Sequence, residues 1–96
     1  MLNDFPMRII KFGAVWCNSC LVMRPRWREI ELEHPYLITE YFDFDNDKEM
    51  VTKYNIQKGK LPTFIFLDKG DNELIRLSGE PSKKEIIEII IKYKNC

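Results

Sequence analysis

The sequence has no excess of either charge, little histidine and no long apolar run, and each of these absences argues against a class of function. Fifteen Lys and Arg residues balance fifteen Asp and Glu residues, so no basic excess predicts a nucleic-acid partner. No stretch approaches the ~20 apolar residues of a membrane span. Residues 1–8 contain an acid and no long apolar run, so we expect no secretory signal. These absences predict a cytoplasmic protein with no membrane and no nucleic-acid partner.

Cysteine and histidine are also scarce, which bears on metal binding. A structural zinc ion usually takes four ligands, from two Cys pairs or from one Cys pair and two His. Besides Cys17 and Cys20, the sequence offers only Cys96 and His34. We therefore expect no metal, although half of a zinc site and inert core cysteines remain alternatives for the pair. His34 is read as a solvated residue at a helix end, and Cys96 is assigned no role.

The chain is short and shows no repeat, linker or low-complexity segment. Its 96 residues predict one domain over 1–96, large enough for a core but with little room for insertions. We expect this domain to be a monomer. A flavin or nicotinamide fingerprint is missing as well, so no cofactor is predicted.

Apolar periodicity predicts the order β-α-β-α-β-β-α. Strands are expected over residues 7–12, 37–44, 63–67 and 73–78, and helices over 18–33, 47–55 and from Ser82 to about 93. The second strand reads as an edge because Thr39 and Glu40 interrupt its apolar run. Capping boxes are predicted at Asn46 with Glu49 and at Ser82 with Glu85. The first two strands should be parallel and the last two a hairpin, with helices on both faces of the sheet.

Cys17 and Cys20 lie at the predicted junction between the first strand and the first helix. A helix N-terminus has free N–H groups and a positive dipole end, and both stabilise a thiolate. A spacing of three residues places both cysteines on one face of the first turn, close enough for a disulfide. One sulfur can therefore attack a substrate disulfide, and the other can resolve the product.

Beyond the cysteines, the chain resembles the thioredoxin family from residue 7 almost to its last residue. Pro25, within the first helix, matches the kinking proline of the family, and Gly79 matches the glycine ahead of its last helix. Other matching segments are Trp16-Cys17-x-x-Cys20, Asp43-Phe44-Asp45, Lys53-Tyr54-Asn55-Ile56 and Leu61-Pro62-Thr63-Phe64. Several independent motifs in the right order are more specific than any one alone.

The resemblance implies an α/β thioredoxin fold: a four-stranded mixed sheet of order 2-1-3-4, flanked by three helices, without the usual first strand and helix. It implies a protein-disulfide oxidoreductase in which Cys17 is the exposed nucleophile and Cys20 the buried resolving thiol. Leu61-Pro62 would be a cis peptide that binds an extended substrate, and Trp16 would shield the site. Partners would be disulfide-containing substrate proteins and a thioredoxin reductase or another thiol donor.

Several positions depart from the family pattern. Asn18-Ser19 replaces the usual Gly-Pro between the cysteines, so the redox potential does not carry over. Lys11 replaces a buried acid; it either favours thiolate by its charge or extends to solvent. Tyr41 replaces a lysine near the site, and the loop before Leu61 is about two residues longer than usual. A disulfide isomerase or oxidase and a non-catalytic binding module remain alternatives to the reductase.

Overall fold

Four strands form one mixed sheet in the computed structural model, which describes residues 7–94. The strands are β1 (Arg8–Gly13), β2 (Ile38–Asp43), β3 (Thr63–Leu67) and β4 (Glu73–Ser78). Their order is β2-β1-β3-β4, with β1 parallel to β2 and with β3 antiparallel to both β1 and β4. The predicted sheet order is confirmed, and β2 lies at an edge as expected. The predictions for residues 1–6 and for Cys96 concern residues outside the described range.

Helices cover both faces of this sheet because the two central strands are apolar on both sides. The helices are α1 (Asn18–Glu33), α2 (Lys48–Lys53) and α3 (Lys83–Tyr93), with a single 3₁₀ turn at Lys58–Lys60. One core lies under α1 and α3, and it includes Met23, Trp27, Ile30, Ile86 and Ile90. The other lies under α2 and includes Ile10, Phe12, Ile56, Ile65 and Leu67. Every residue of β3 is buried, as expected of a central strand that is covered on both faces.

The first helix has the apolar stripe that its sequence predicts. Met23, Trp27 and Ile30 are its buried residues. Pro25 lies inside the helix on its exposed side, where the missing N–H leaves the buried stripe undisturbed. The helix ends at Glu33, one residue before His34, as predicted.

The second helix is shorter than predicted and its capping box is absent. It starts after Asp47, and no side chain caps its N-terminus. The carboxylate of Asp47 accepts a hydrogen bond from the N–H of Asp43 at 2.7 Å. The N–H of Asn46 donates to the Asp43 carboxylate at 3.0 Å. Asn46 is therefore part of an aspartate-centred turn, because the Asp43 carboxylate binds the N–H that the predicted box would have used.

The last helix begins with the predicted capping box. The hydroxyl of Ser82 accepts from the N–H of Glu85 at 3.0 Å, and the Ser82 N–H donates to the Glu85 carboxylate at 3.3 Å. This start fixes the loop between β4 and α3. That loop, the β1–α1 loop, the β2–α2 loop and the β3 entrance provide the side chains of the site described below.

Candidate active site

Cys17 and Cys20 are joined by a disulfide at the start of α1. Cys17 is the N-cap residue, and its Cα lies 5.2 Å from the Cα of Cys20. The Cys17 sulfur accepts a hydrogen bond from the Cys20 N–H at 3.2 Å. The N–H of Cys17 is itself held by the Ala14 carbonyl at 3.2 Å. The first sulfur is therefore positioned where a helix N-terminus stabilises negative charge.

The exposure of the two cysteines differs from what the resemblance implies. Cys17 is buried, with 7% of its surface exposed, whereas Cys20 is partly exposed. The expectation of an exposed Cys17 and a buried Cys20 is therefore wrong for this oxidised form. The physical reason is that Cys17, as N-cap, directs its sulfur back over the first turn, while Cys20 borders an open cleft.

Trp16 is held beside the disulfide by three neighbours. Its indole N–H donates to the Asp45 carboxylate at 2.7 Å. Its ring meets Phe44 edge to face, with centroids 6.2 Å apart. The ammonium of Lys58 lies 5.4 Å from the ring centroid. Trp16 is 45% exposed, so the ring is fixed in position and still offers a flat surface to a partner.

The Leu61–Pro62 peptide bond is cis. Pro62 is buried at the entrance to β3, and Leu61 packs on the core under α2. The carbonyl of Pro62 accepts from the Gly79 N–H at 2.9 Å. The hydroxyl of Thr63 donates to the Lys60 carbonyl at 2.7 Å. The structure thus places this segment and the loop after β4 side by side.

The two residues between the cysteines have different surroundings. Asn18 is exposed. The hydroxyl of Ser19 donates to the Glu80 carboxylate at 2.8 Å. Sequence reasoning missed Glu80 and Asp45 as parts of the site. The signal for Glu80 was a carboxylate directly after Gly79, at the loop that resembles the family's.

Lys11 neither extends freely to solvent nor faces the cysteines as an unpaired cation. Its ammonium forms an ion pair with Glu31 at 2.5 Å, and it lies 5.3 Å from the centroid of the Trp27 ring. The hydroxyl of Thr39 donates to the same Glu31 carboxylate at 3.0 Å. The Lys11 side chain is only 16% exposed. Its charge is therefore balanced by Glu31, so it does not act alone on either sulfur.

An open cleft of about 350 Å³ lies on the Cys20 side of the disulfide. Its wall includes Cys20, the Lys11–Glu31 pair and Tyr41. Burial, and then the negative charge of Asp43, raise the pKa of the Tyr41 hydroxyl, so this group is neutral at physiological pH. Tyr41, at the family's lysine position, therefore contributes a polar but uncharged group to the cleft.

Residues 7–94 contain neither a metal-binding cluster nor a membrane-spanning helix. No group of three or more His, Cys, Asp or Glu side chains is placed there to hold a metal ion. Within the same range, no helix has the length and apolarity needed to cross a membrane. The zinc alternative is tested directly by measuring the metal content of the purified protein.

The sequence of this chain is similar to those of known thioredoxins. The family model described as Thioredoxin matches residues 2–92. Thioredoxin H5 of Oryza sativa subsp. japonica is 35% identical over 71 residues, covering 74% of this chain and 50% of that protein. Thioredoxin-1 of Caenorhabditis elegans is 33% identical over 73 residues, covering 74% of this chain and 62% of that protein. The match thus spans between half and two thirds of these curated relatives.

Solved structures show the same fold. The thioredoxin of Fasciola hepatica superimposes with a TM-score of 0.83 at 28% identity, covering 97% of this chain and 86% of that one. Thioredoxin NaTrxh of Nicotiana alata gives a TM-score of 0.84 at 24% identity, covering 96% of this chain and 76% of that one, a likeness of fold alone. Sheet order, cysteine pair and sequence match agree, and the chain belongs to the thioredoxin family.

Proposed function

We propose that this protein is a thiol–disulfide oxidoreductase that reduces protein disulfides by dithiol–disulfide exchange through Cys17 and Cys20. The observation that carries the proposal is the bonded pair at the N-terminus of α1, with Cys17 as the N-cap residue. An N–H already directed at the Cys17 sulfur favours its thiolate after reduction. A free thiol is only about 3% ionised at pH 7, whereas a pKa near ~7 makes about half of it reactive.

The reaction takes place in two exchanges. The Cys17 thiolate attacks one sulfur of the substrate disulfide, forms a mixed disulfide and expels the other substrate sulfur as a thiolate. Cys20, as thiolate, then attacks the Cys17 sulfur, which forms the Cys17–Cys20 disulfide and expels the second substrate thiolate. Both expelled thiolates take up protons. The substrate gains two electrons, and the protein loses two.

Binding of the substrate chain involves the surface around the disulfide. Trp16 offers its exposed, anchored ring as a docking surface. Leu61 and Pro62 offer backbone at the cleft that Pro62 and Cys20 both line, where an extended substrate segment pairs in the manner of a short strand. Asn18 and Ser19 modulate the potential through their polar side chains.

A thiol donor regenerates the active dithiol. Two thiols, or one dithiol of a reductase, return two electrons and leave as a disulfide, so this step needs no cofactor on this chain. A thioredoxin reductase or a small cytoplasmic thiol would supply them.

Trapping of the mixed disulfide tests the roles of the two cysteines. Cys20→Ser is expected to accumulate a mixed disulfide with a disulfide-bonded peptide at Cys17, detected by mass spectrometry. Cys17→Ser should accumulate far less, because its remaining thiol is not at the N-cap position. If Cys20→Ser forms no adduct, the assignment of Cys17 as nucleophile is wrong.

The reduction potential distinguishes a reductase from an oxidase or isomerase. The protein is equilibrated across dithiol/disulfide ratios, and free thiols are counted by alkylation and mass. A value near roughly −270 mV is expected for a cytoplasmic reductant, whereas about −120 to −180 mV would indicate an oxidase or isomerase. If no reversible two-electron change occurs, the protein is a binding module rather than an enzyme.

A further inference from the structure

The loop after β4 places a carboxylate against the cysteine motif. The hydroxyl of Ser19, between the two cysteines, donates to the Glu80 carboxylate at 2.8 Å. Both side chains are at the protein surface. The contact joins residues 61 positions apart in the chain, so it depends on the tertiary fold and not on local geometry.

The backbone of this loop is fixed on both sides of Glu80. The N–H of Gly79 donates to the Pro62 carbonyl at 2.9 Å, and Gly79 has a φ of 85° that favours glycine. The guanidinium of Arg26 donates to the Pro81 carbonyl at 2.8 Å. Ser82 then starts α3 with its capping box. The Glu80 carboxylate is therefore held beside Ser19 and the cysteine pair before any ligand binds. A ligand does not have to bear the entropic cost of ordering this loop.

Glu80 also keeps its negative charge available. Its hydrogen-bond partner is a neutral hydroxyl, and within residues 7–94 no cation lies within 4.0 Å of its carboxylate. Arg26, the nearby cation, directs a guanidinium N–H to the Pro81 carbonyl. On the opposite side of the disulfide, the Asp45 carboxylate is bound to Trp16, with Lys58 over the same ring.

We propose, on the basis of the function proposed above, that Glu80 is a specificity-determining residue that favours substrate disulfides flanked by lysine or arginine. A substrate strand beside Pro62 also passes the loop that carries Glu80, because the Gly79 N–H is bound to the Pro62 carbonyl. A cationic side chain next to the substrate cysteine gains a fixed counter-charge there. The Ser19 hydroxyl positions that charge.

The size of the preference follows from the exposure of the pair. Exposed ion pairs contribute about 0.2–1 kcal/mol, which corresponds to roughly a 1.4- to fivefold change in kcat/KM. Salt screens such pairs, since the Debye length falls from about 30 Å at 0.01 M to about 8 Å at 0.15 M ionic strength. The preference should therefore decrease as salt is added.

Two disulfide-bonded peptides that differ only in Lys or Glu beside the cysteine test the proposal. The measured quantity is the ratio of their kcat/KM values at low ionic strength, which cancels any change in the reactivity of the cysteine pair itself. The unaltered protein should prefer the Lys peptide by about 1.4- to fivefold. Glu80→Gln should lower the ratio of the Lys peptide to the Glu peptide toward one. Glu80→Lys should invert the preference. Ser19→Ala, which frees the carboxylate, should reduce the preference in part.

Glu88→Gln is the matched control, because it removes the same charge from the exposed side of α3. It should leave the ratio unchanged. If Glu80→Gln keeps the ratio of the unaltered protein, or if Glu88→Gln lowers it equally, the assignment of Glu80 is overturned while the proposed reductase function stands. If neither peptide is reduced by the unaltered protein, both the reductase function and the inference are overturned.

Discussion

At the scale of single residues, Gly13 is the last residue of β1 and lies next to the Cys20 sulfur. A Cβ at this position would lie 2.9 Å from the Tyr41 hydroxyl oxygen and 3.2 Å from the Cys20 sulfur. We expect Gly13→Ala to lower the free energy of unfolding by about 1–3 kcal/mol, as overpacking does. Urea denaturation of the oxidised protein measures this change.

Gly59→Ala is the control for this prediction, because a Cβ there meets no atom within 4 Å. It should change stability by no more than about 0.5 kcal/mol. Adding Tyr41→Ala to Gly13→Ala should restore part of the loss, since the nearest clash is with Tyr41. Equal effects of the two glycine substitutions would contradict the explanation.

The pair of Lys11 and Glu31 provides a second test at this scale. Glu31→Gln should lower stability by about 1–2 kcal/mol, because it leaves a mostly buried ammonium without its counter-charge. The double variant Lys11→Met/Glu31→Gln should be more stable than Glu31→Gln alone, since methionine keeps the contact with Trp27 without a charge. A double-mutant cycle by chemical denaturation gives the coupling. Strict additivity would show that the two side chains do not interact in solution.

Single contacts were the part of the site that the sequence could not predict. It marked Cys17, Trp16 and Pro62 as candidates, because they stand in local motifs. It could not pair Lys11 with Glu31 or Ser19 with Glu80, since such contacts depend on how distant segments pack. A lone lysine on a strand is equally compatible with an exposed ammonium and with a paired one.

At the scale of elements, the residue that follows the C-cap of α2 has a left-handed conformation. Asn55 follows the C-cap residue Tyr54 and has a φ of 53°. Asparagine tolerates this region better than alanine does, and glycine tolerates it best. We expect Asn55→Ala to lower the free energy of unfolding by about 1–2 kcal/mol. Thermal or urea unfolding provides the measurement.

Asn55→Gly separates backbone strain from loss of the side chain. It should retain the stability of the unaltered protein within about 0.5 kcal/mol, because only the strain of a Cβ is at issue. If both variants lose equal stability, the asparagine side chain itself is responsible.

Most element boundaries followed from sequence, and the exception has a clear cause. The strands and α1 come from strong apolar periodicity, and α3 from a complete capping box. At α2, Asn46 and Glu49 have the spacing of such a box, but the Asn46 N–H donates to the Asp43 carboxylate instead of to Glu49. A pattern of spacing cannot show which of several nearby acceptors will bind a given donor.

At the scale of the whole molecule, the oxidation state of one pair should change the stability of the entire chain. The disulfide joins residues separated by 3 positions, and closing so short a loop restricts the unfolded chain by about 2 kcal/mol. We expect the oxidised protein to be more stable than the reduced one by about this amount. Urea denaturation with and without a phosphine reductant, under otherwise identical conditions, measures the difference.

The variant Cys17→Ser/Cys20→Ser is the control for the redox prediction. It should resemble the reduced protein and show no response to reductant. If the oxidised and reduced forms unfold at the same urea concentration, the disulfide imposes strain on the native state that cancels its effect on the unfolded chain.

The convergence of four connections at one end of a rigid sheet has a consequence for how this chain can change. The core lies in the strands and in the inner faces of the helices, whereas Asn18, Ser19, Lys58 and Glu80 lie outside it. Substitutions at these four positions create no cavity, so their cost in stability is small. Reactivity and partner choice can therefore vary almost independently of folding. This separation makes the chain a suitable starting point for redesigning the substrate specificity of the function proposed above.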